Sequence, residues 1–206
     1  LFFPEKRPFF LENAGFFTVG NSGSADLFFS RRIGLEGGEV VPILAGARVS
    51  GRARGFNLGF LNMQTDNHTL QDGTRLSADN FTVARVSREY PNRSRVGGLF
   101  TNRVGTGPLA GDDEENQVFA VDGQLGIGQY AEVSGWAAKS ETPGLEGDDH
   151  AFSLRGSYSS PEWRWRANYT EVGNEFNPGI GFISRRDYRN VGGFVNLNSG
   201  TSICLA

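Results

Sequence analysis

The side chains best equipped for chemistry are a run of four carboxylates, Asp112-Asp113-Glu114-Glu115, a pair at Asp148-Asp149, two histidines and a scatter of arginines. Clustered oxygen ligands suit hard cations such as calcium or magnesium, which makes Asp112, Asp113, Glu114 and Glu115 loop-cation candidates. Their spacing lacks the alternation of a calcium loop, and acidic runs of this kind are commonly solvated loop tips, so no metal site is assigned. His68 and His150 have no second histidine at metal-ligand spacing, and no serine is marked as a nucleophile beside them. Gly123-Gln-Leu-Gly-Ile-Gly128 resembles a nucleotide loop superficially, but no helix follows to bind phosphate at its N-terminus. Four Asn-X-Ser/Thr matches, beginning at Asn67, Asn80, Asn92 and Asn168, read as chance composition. Cys204 has no partner for a disulfide or a cysteine zinc site. No catalytic residue and no cofactor is expected.

The arginines are the better functional candidates. Arg48, Arg52, Arg155, Arg164 and Arg166 fall on the polar side of runs that alternate polar and apolar residues, and Arg85, in the poorly alternating run 79–90, is grouped with them. Gathered on one face of a closed sheet they would line a lumen and favour anions or acidic sugars. The plainer reading is that they pair with Glu132, Asp122 and loop carboxylates and keep that face solvated. Arg185 and Arg186, beside Asp187 on a long loop, are further candidates for an inward constriction.

These side chains need a scaffold, and composition indicates its class. With 29 glycines and no apolar pattern at helical period, the chain reads as all-β. A net charge of −3 with scattered arginines gives no nucleic-acid footprint. No apolar run reaches the roughly 18 to 20 residues of a membrane helix.

Runs of about ten residues rich in β-branched and aromatic side chains predict strands at 26–33, 40–51, 54–65, 79–90, 95–104, 117–127, 129–140, 150–160, 163–172 and 188–198. Ten residues suffice for a tilted membrane-spanning strand. Short connections near 51–54, 91–94, 128–129 and 160–162 alternate with longer polar ones at 66–78, 105–116, 141–149 and 173–187. Outer-membrane barrels show this asymmetry, with tight turns at one rim and long loops at the other. Alternation is clearest in Trp163, Trp165, Ala167 and Tyr169 against Arg164, Arg166, Asn168 and Thr170. Strands 79–90, 95–104 and 188–198 alternate poorly and their faces stay unassigned. Tyr90, Tyr130, Trp136, Tyr158 and Trp163 lie near strand ends, where amphipathic rings suit a bilayer interface.

Residues 1–29 carry four Phe-Phe pairs, at 2–3, 9–10, 16–17 and 28–29. Adjacent aromatics on an extended chain point to opposite sides and need cover on both. Residues 1–25 therefore read as a Phe-rich connector, or as a segment lying at the periplasmic mouth or inside a barrel formed by 26–206.

Phe3-Pro-Glu-Lys-Arg-Pro-Phe-Phe-Leu-Glu12, Leu27-Phe-Phe-Ser-Arg-Arg-Ile-Gly34 and Ile43-Leu-Ala-Gly-Ala-Arg-Val-Ser-Gly51 resemble a bacterial family known as domain of unknown function 5916. Asn80-Phe-Thr-Val-Ala-Arg-Val86 with Arg88, Val96-Gly-Gly-Leu-Phe-Thr101, Phe176-Asn-Pro-Gly-Ile-Gly-Phe182 and Arg186-Asp-Tyr-Arg189 extend the resemblance across most of the chain in order. It implies a barrel in the outer membrane of a Gram-negative bacterium, often preceded by a domain similar to family-nine carbohydrate-binding modules. That domain is absent from these residues, so any carbohydrate partner would act through it. The start at Leu1-Phe2-Phe3-Pro4 reads as internal, and Ser199 to Ala206 lack a closing aromatic strand.

The expectation is an antiparallel meander of about ten strands forming part of an outer-membrane β-barrel. Its partner would be outer-membrane lipid, and it would act without catalysis as a pore, a transporter or an anchor. The competing reading is a soluble β-rich carbohydrate-binding module or part of a carbohydrate-active hydrolase.

Overall fold

The computed structural model describes residues 6–11, 14–111 and 114–198. It is all-β in its long elements. Nine strands, β1 (Ile43–Ala53), β2 (Phe56–Thr65), β3 (Ala78–Glu89), β4 (Arg95–Thr106), β5 (Glu115–Ile127), β6 (Ala131–Glu141), β7 (His150–Ser159), β8 (Trp163–Val172) and β9 (Tyr188–Leu197), form one sheet in sequence order. Every neighbouring pair is antiparallel. The connections alternate as the sequence suggests: 54–55, 90–94, 128–130 and 160–162 are short, whereas 66–77, 107–114, 142–149 and 173–187 are long. All long connections therefore lie at one end of the strands.

The expected strand at 26–33 does not form, which leaves nine long strands rather than ten. Only Ala25–Asp26 is extended, and Ser30–Arg32 is a 3-10 turn. Leu27 and Ile33 are fully buried, Phe28 packs on Phe17 and Phe29 on Phe182. A run that needs apolar cover on every side cannot sit at the margin of a sheet whose other face is open, so it folds onto the sheet instead. Gly20–Asn21, Ala25–Asp26 and Phe182–Ile183 make a small three-stranded sheet that joins the N-terminal segment to the loop before β9. The chain enters β1 at the long-loop end, where Asp66 N donates to Pro42 O at 2.9 Å.

The core lies between this N-terminal layer and one face of the nine-stranded sheet, here the inner face. Phe10, Phe17, Val19, Ala25, Leu27 and Ile33 meet Leu61, Met63, Phe81, Val83, Leu99, Val118, Ala120, Trp136, Ala138, Ala151 and Val172. Phe176 and Ile180 from the last long loop complete it. These wall residues belong mainly to the half of each strand nearer the long loops. Gly59 permits a close approach of Phe17 to β2, because a Cβ there would stand 2.9 Å from Phe17 Cε1.

Candidate functional site

Register assigns every strand a face, including the three whose alternation is weak. Arg48 pairs with Leu61, Gly59 with Arg85, Arg85 with Leu99, Ser134 with Arg155, and Arg166 with Ser157. Partners across a ladder share a face. Arg48, Arg52, Arg85, Arg155, Arg164 and Arg166 consequently all lie on the inner face, but they do not form one cluster. Arg48 donates to the Phe9 carbonyl and lies over the Phe9 ring at 5.2 Å. Arg166 lies over Phe194 at 5.5 Å, with Arg164 two residues away on the same strand. Arg52 pairs in register with Asn57 and is exposed.

Arg85 is the buried member of the six. Its Nη2 lies 2.6 Å from Asp122 Oδ1, with both side chains almost wholly buried. Arg95 Nη2 approaches the other carboxylate oxygen at 3.8 Å. The charge of Arg85 is thus matched by Asp122 in a place that water scarcely reaches.

The inner face divides into two halves. Toward the long loops it is packed by the N-terminal segment, which polar anchors hold in place: Trp136 Nε1 donates to Asn21 Oδ1 at 3.2 Å, and Asn21 Nδ2 donates to Thr170 Oγ1 at 3.3 Å. Toward the short turns it is polar and holds Arg52, Asn57, Ser87, Arg95, Gln124, Glu132, Ser134, Arg155, Ser157 and Arg164. A cavity of about 300 Å³ lies there beneath Gly15 to Asn21.

The outer face is the opposite in character. Val49, Leu58, Val86, Val121, Leu125, Val133, Leu154, Val191 and Val195 are exposed on it, Val121 by 61% and Val191 by 79%. Aromatic rings bound this apolar field on both sides. Phe60, Phe100, Phe119, Phe152 and Tyr169 lie toward the long loops, with Phe100 and Phe119 centroids 5.0 Å apart and Phe152 and Tyr169 5.5 Å apart. Phe56, Tyr90, Tyr130, Tyr158, Trp163 and Trp165 lie toward the short turns, where Tyr158 stacks on Trp165 at 10° and Arg88 covers both Phe56 and Tyr90.

Above the upper rings the outer face turns polar. Asn62 Nδ2 donates to Asn80 Oδ1 and Thr82 Oγ1, both at 2.9 Å, Asn80 Nδ2 donates to Gln64 Oε1, and Gln64 Nε2 donates to Thr106 Oγ1. From Phe119 to Ile127 the apolar stretch of β5 runs about 26 Å at roughly 3.3 Å per residue.

Compared with family models, curated proteins and solved structures, the chain matches none of them.

At the long-loop end, Asp112 and Asp113 lie outside the described residues. Glu114 Oε2 accepts from Ser77 Oγ, and Glu115 Oε1 accepts from Gln117 Nε2 at 2.7 Å. Among the described residues no three His, Cys, Asp or Glu side chains converge as a metal site would require. His68, in the 66–77 connection, faces Glu39 at 3.9 Å, and His150, at the start of β7, faces Glu171 of β8 at 3.8 Å. Trp136, placed by sequence among strand-end aromatics, is instead buried on the inner face.

Sequence reasoning placed Thr170 on the polar face but missed Arg95, Gly97 and Asn21 as contributors to the inner face. Arg95 had little local signal, because strand 95–104 alternates poorly and its face follows from register with β3 and β5. Asn21 and Gly97 had none, since their roles depend on contacts 115 and 12 residues away in the chain.

Proposed function

We propose that this chain is the membrane-spanning part of a bacterial outer-membrane β-barrel, with its own N-terminal segment filling the half of the interior nearer the long loops. The observation that carries this reading is the exposed apolar belt on the outer face, bordered by aromatic rings on both sides. Outer-membrane barrels carry an outward apolar band about 25 Å tall between aromatic girdles. A water-facing sheet has no reason to expose Val121, Val191 and Val195 while turning its arginines inward.

The loop asymmetry gives the orientation of this proposal, with short turns on the periplasmic side and long loops outside. The resemblance to domain of unknown function 5916 points the same way. The roles it supports are transport or anchorage, without a catalytic step. The stacked Tyr158 and Trp165 also favour, more weakly, a sugar-binding face on a soluble module.

Partitioning separates the two readings. The membrane reading expects the full chain to need detergent, to shift in electrophoretic mobility on heating, and to have Trp163 and Trp165 fluorescence quenched by brominated lipid. A chain monodisperse in buffer, with both tryptophans quenched by aqueous iodide but not by lipid, would overturn it.

A further inference from the structure

The cavity beneath the N-terminal segment holds charges that the fold leaves unused. Arg95 on β4, Gln124 on β5, Ser134 on β6 and Arg155 on β7 are successive register partners, so they form one row across four strands. At about 4.8 Å per strand the two arginine backbones stand roughly 14 Å apart, a gap their side chains can close from both ends. Asp122, one residue pair deeper, is occupied by Arg85 at 2.6 Å and Arg95 at 3.8 Å.

Two other groups remain. Among the described residues Arg155 has no carboxylate partner, although it lines the cavity. Among the described residues Glu132 accepts one hydrogen bond, from Gln124 Nε2 to Oε2 at 3.0 Å, and forms no ion pair. Glu132 and Arg155 are diagonal neighbours, since Ser134 is Arg155's register partner. Diagonal backbones lie about 7–8 Å apart. A cation and a carboxylate that share a cavity without pairing form a dipolar socket. At about 300 Å³, the cavity has the liquid volume of about ten waters at ~30 Å³ each.

We propose that this cavity binds a small zwitterion of the α-amino-acid class. The ligand carboxylate accepts hydrogen bonds from Arg155, with Arg95 and Ser134 on the same row, while the ligand ammonium donates to Glu132 Oε1 nearer the short-turn rim. The roof is the N-terminal segment itself, from Gly15 to Asn21, and Trp136 lines the same space while bonded to Asn21. A bound solute therefore touches both the wall and the segment that fills the interior. The site does not require the sheet to cross a bilayer, so its failure would leave the partitioning result unchanged, and the reverse.

The test uses the full chain in detergent micelles with Trp163→Phe and Trp165→Phe, which leaves Trp136 as the only indole. Alanine, propionate, ethylammonium and sodium chloride are titrated at matched ionic strength, with saturation-transfer NMR on alanine as a second readout. The expected result is a saturable response to alanine, at least tenfold weaker for propionate and for ethylammonium. Arg155→Gln and Glu132→Gln should each weaken alanine by at least tenfold without moving the thermal transition. Equal binding of propionate and alanine overturns the proposal, as does an unaffected Glu132→Gln variant. Absence of saturable signal in both readouts also overturns it, leaving Arg155 and Glu132 to pair with each other in solution.

Discussion

Arg85 on β3 reaches Asp122 on β5 by lying across the strand between them, and Gly97 of β4 makes the path. A Cβ on residue 97 would stand 2.4 Å from Arg85 Nη1, so the guanidinium occupies the space a side chain would take. The pair is nearly water-free, with side-chain exposures of 3% and 8%. Removing one member of such a pair leaves an uncompensated charge, which costs more than the pair itself contributes. Arg85→Ala is expected to destabilise the sheet by about 3–5 kcal/mol. Arg85→Met with Asp122→Leu should recover most of that loss. Urea unfolding of the single and double variants measures it, and a double variant as unstable as Arg85→Ala would contradict the account.

The seat of Phe17 against Gly59 offers a separable test of the N-terminal layer. Phe17 is 2% exposed, and a side chain at position 59 would displace its ring. Gly59→Val should raise amide exchange and protease cleavage within 14–33 while β3 to β8 keep their protection. Phe17→Ala removes a buried ring at about 3–5 kcal/mol, a loss expected to be felt as opening of that layer. If either variant unfolded the sheet in step with the segment, the two would be one cooperative unit.

Val121 lies in the middle of the outer belt, whereas Gln117 lies two outward positions higher in the polar region. Val121→Arg should cost about 2–4 kcal/mol when the chain is folded in lipid vesicles, as charged substitutions do near a bilayer midplane. In a water-facing sheet the same change is usually within about 0.5 kcal/mol. Gln117→Arg is the control, expected to be near neutral under both readings. Equal and small effects at both positions would count against the lipid-facing assignment.

Asp26 gives the N-terminal segment a pH dependence. Burial raises its carboxyl pKa, only partly offset by the hydrogen bond from Gly23 N to Oδ2 at 3.0 Å. A carboxyl raised on folding binds its proton more tightly in the folded state. Stability is therefore lost as pH rises through the window between the ordinary carboxylate value and the raised one, and is level above it. Amide exchange at Leu27, whose N–H donates to Val19 O at 3.0 Å, should speed up across that window after correction for intrinsic rates. Asp26→Asn should flatten the dependence and slow exchange at neutral pH. A variant with the wild-type profile would assign the effect elsewhere.

The sequence was most legible in β1, β7 and β8, whose inner faces lie partly beyond the N-terminal layer. There an apolar outer residue such as Trp165 or Leu154 alternates with a water-seeking inner one such as Arg164 or Arg155. Alternation was hidden in β3 and β4 because both faces there are apolar. Phe81, Val83 and Leu99 point into the core, while Val86, Val96 and Phe100 point outward. In β9 the inward Phe194 under Arg166 interrupts the same pattern. The Phe-Phe pairs announced a segment needing cover on both sides, but they read equally well as a strand at 26–33.

Local spacing by itself determined the strand lengths, the alternation of short and long connections, and the shared face of Arg48, Arg52, Arg155, Arg164 and Arg166, because β periodicity and turn chemistry are written within a few neighbouring residues. Only the tertiary structure decided that residues 26–33 leave the sheet, that Asp122 answers Arg85, and that Arg155 and Glu132 share a cavity without pairing. Each of those outcomes depends on which strands become neighbours and what lies across them, and contacts of that kind join residues far apart in the chain whose identities carry no local trace of the encounter.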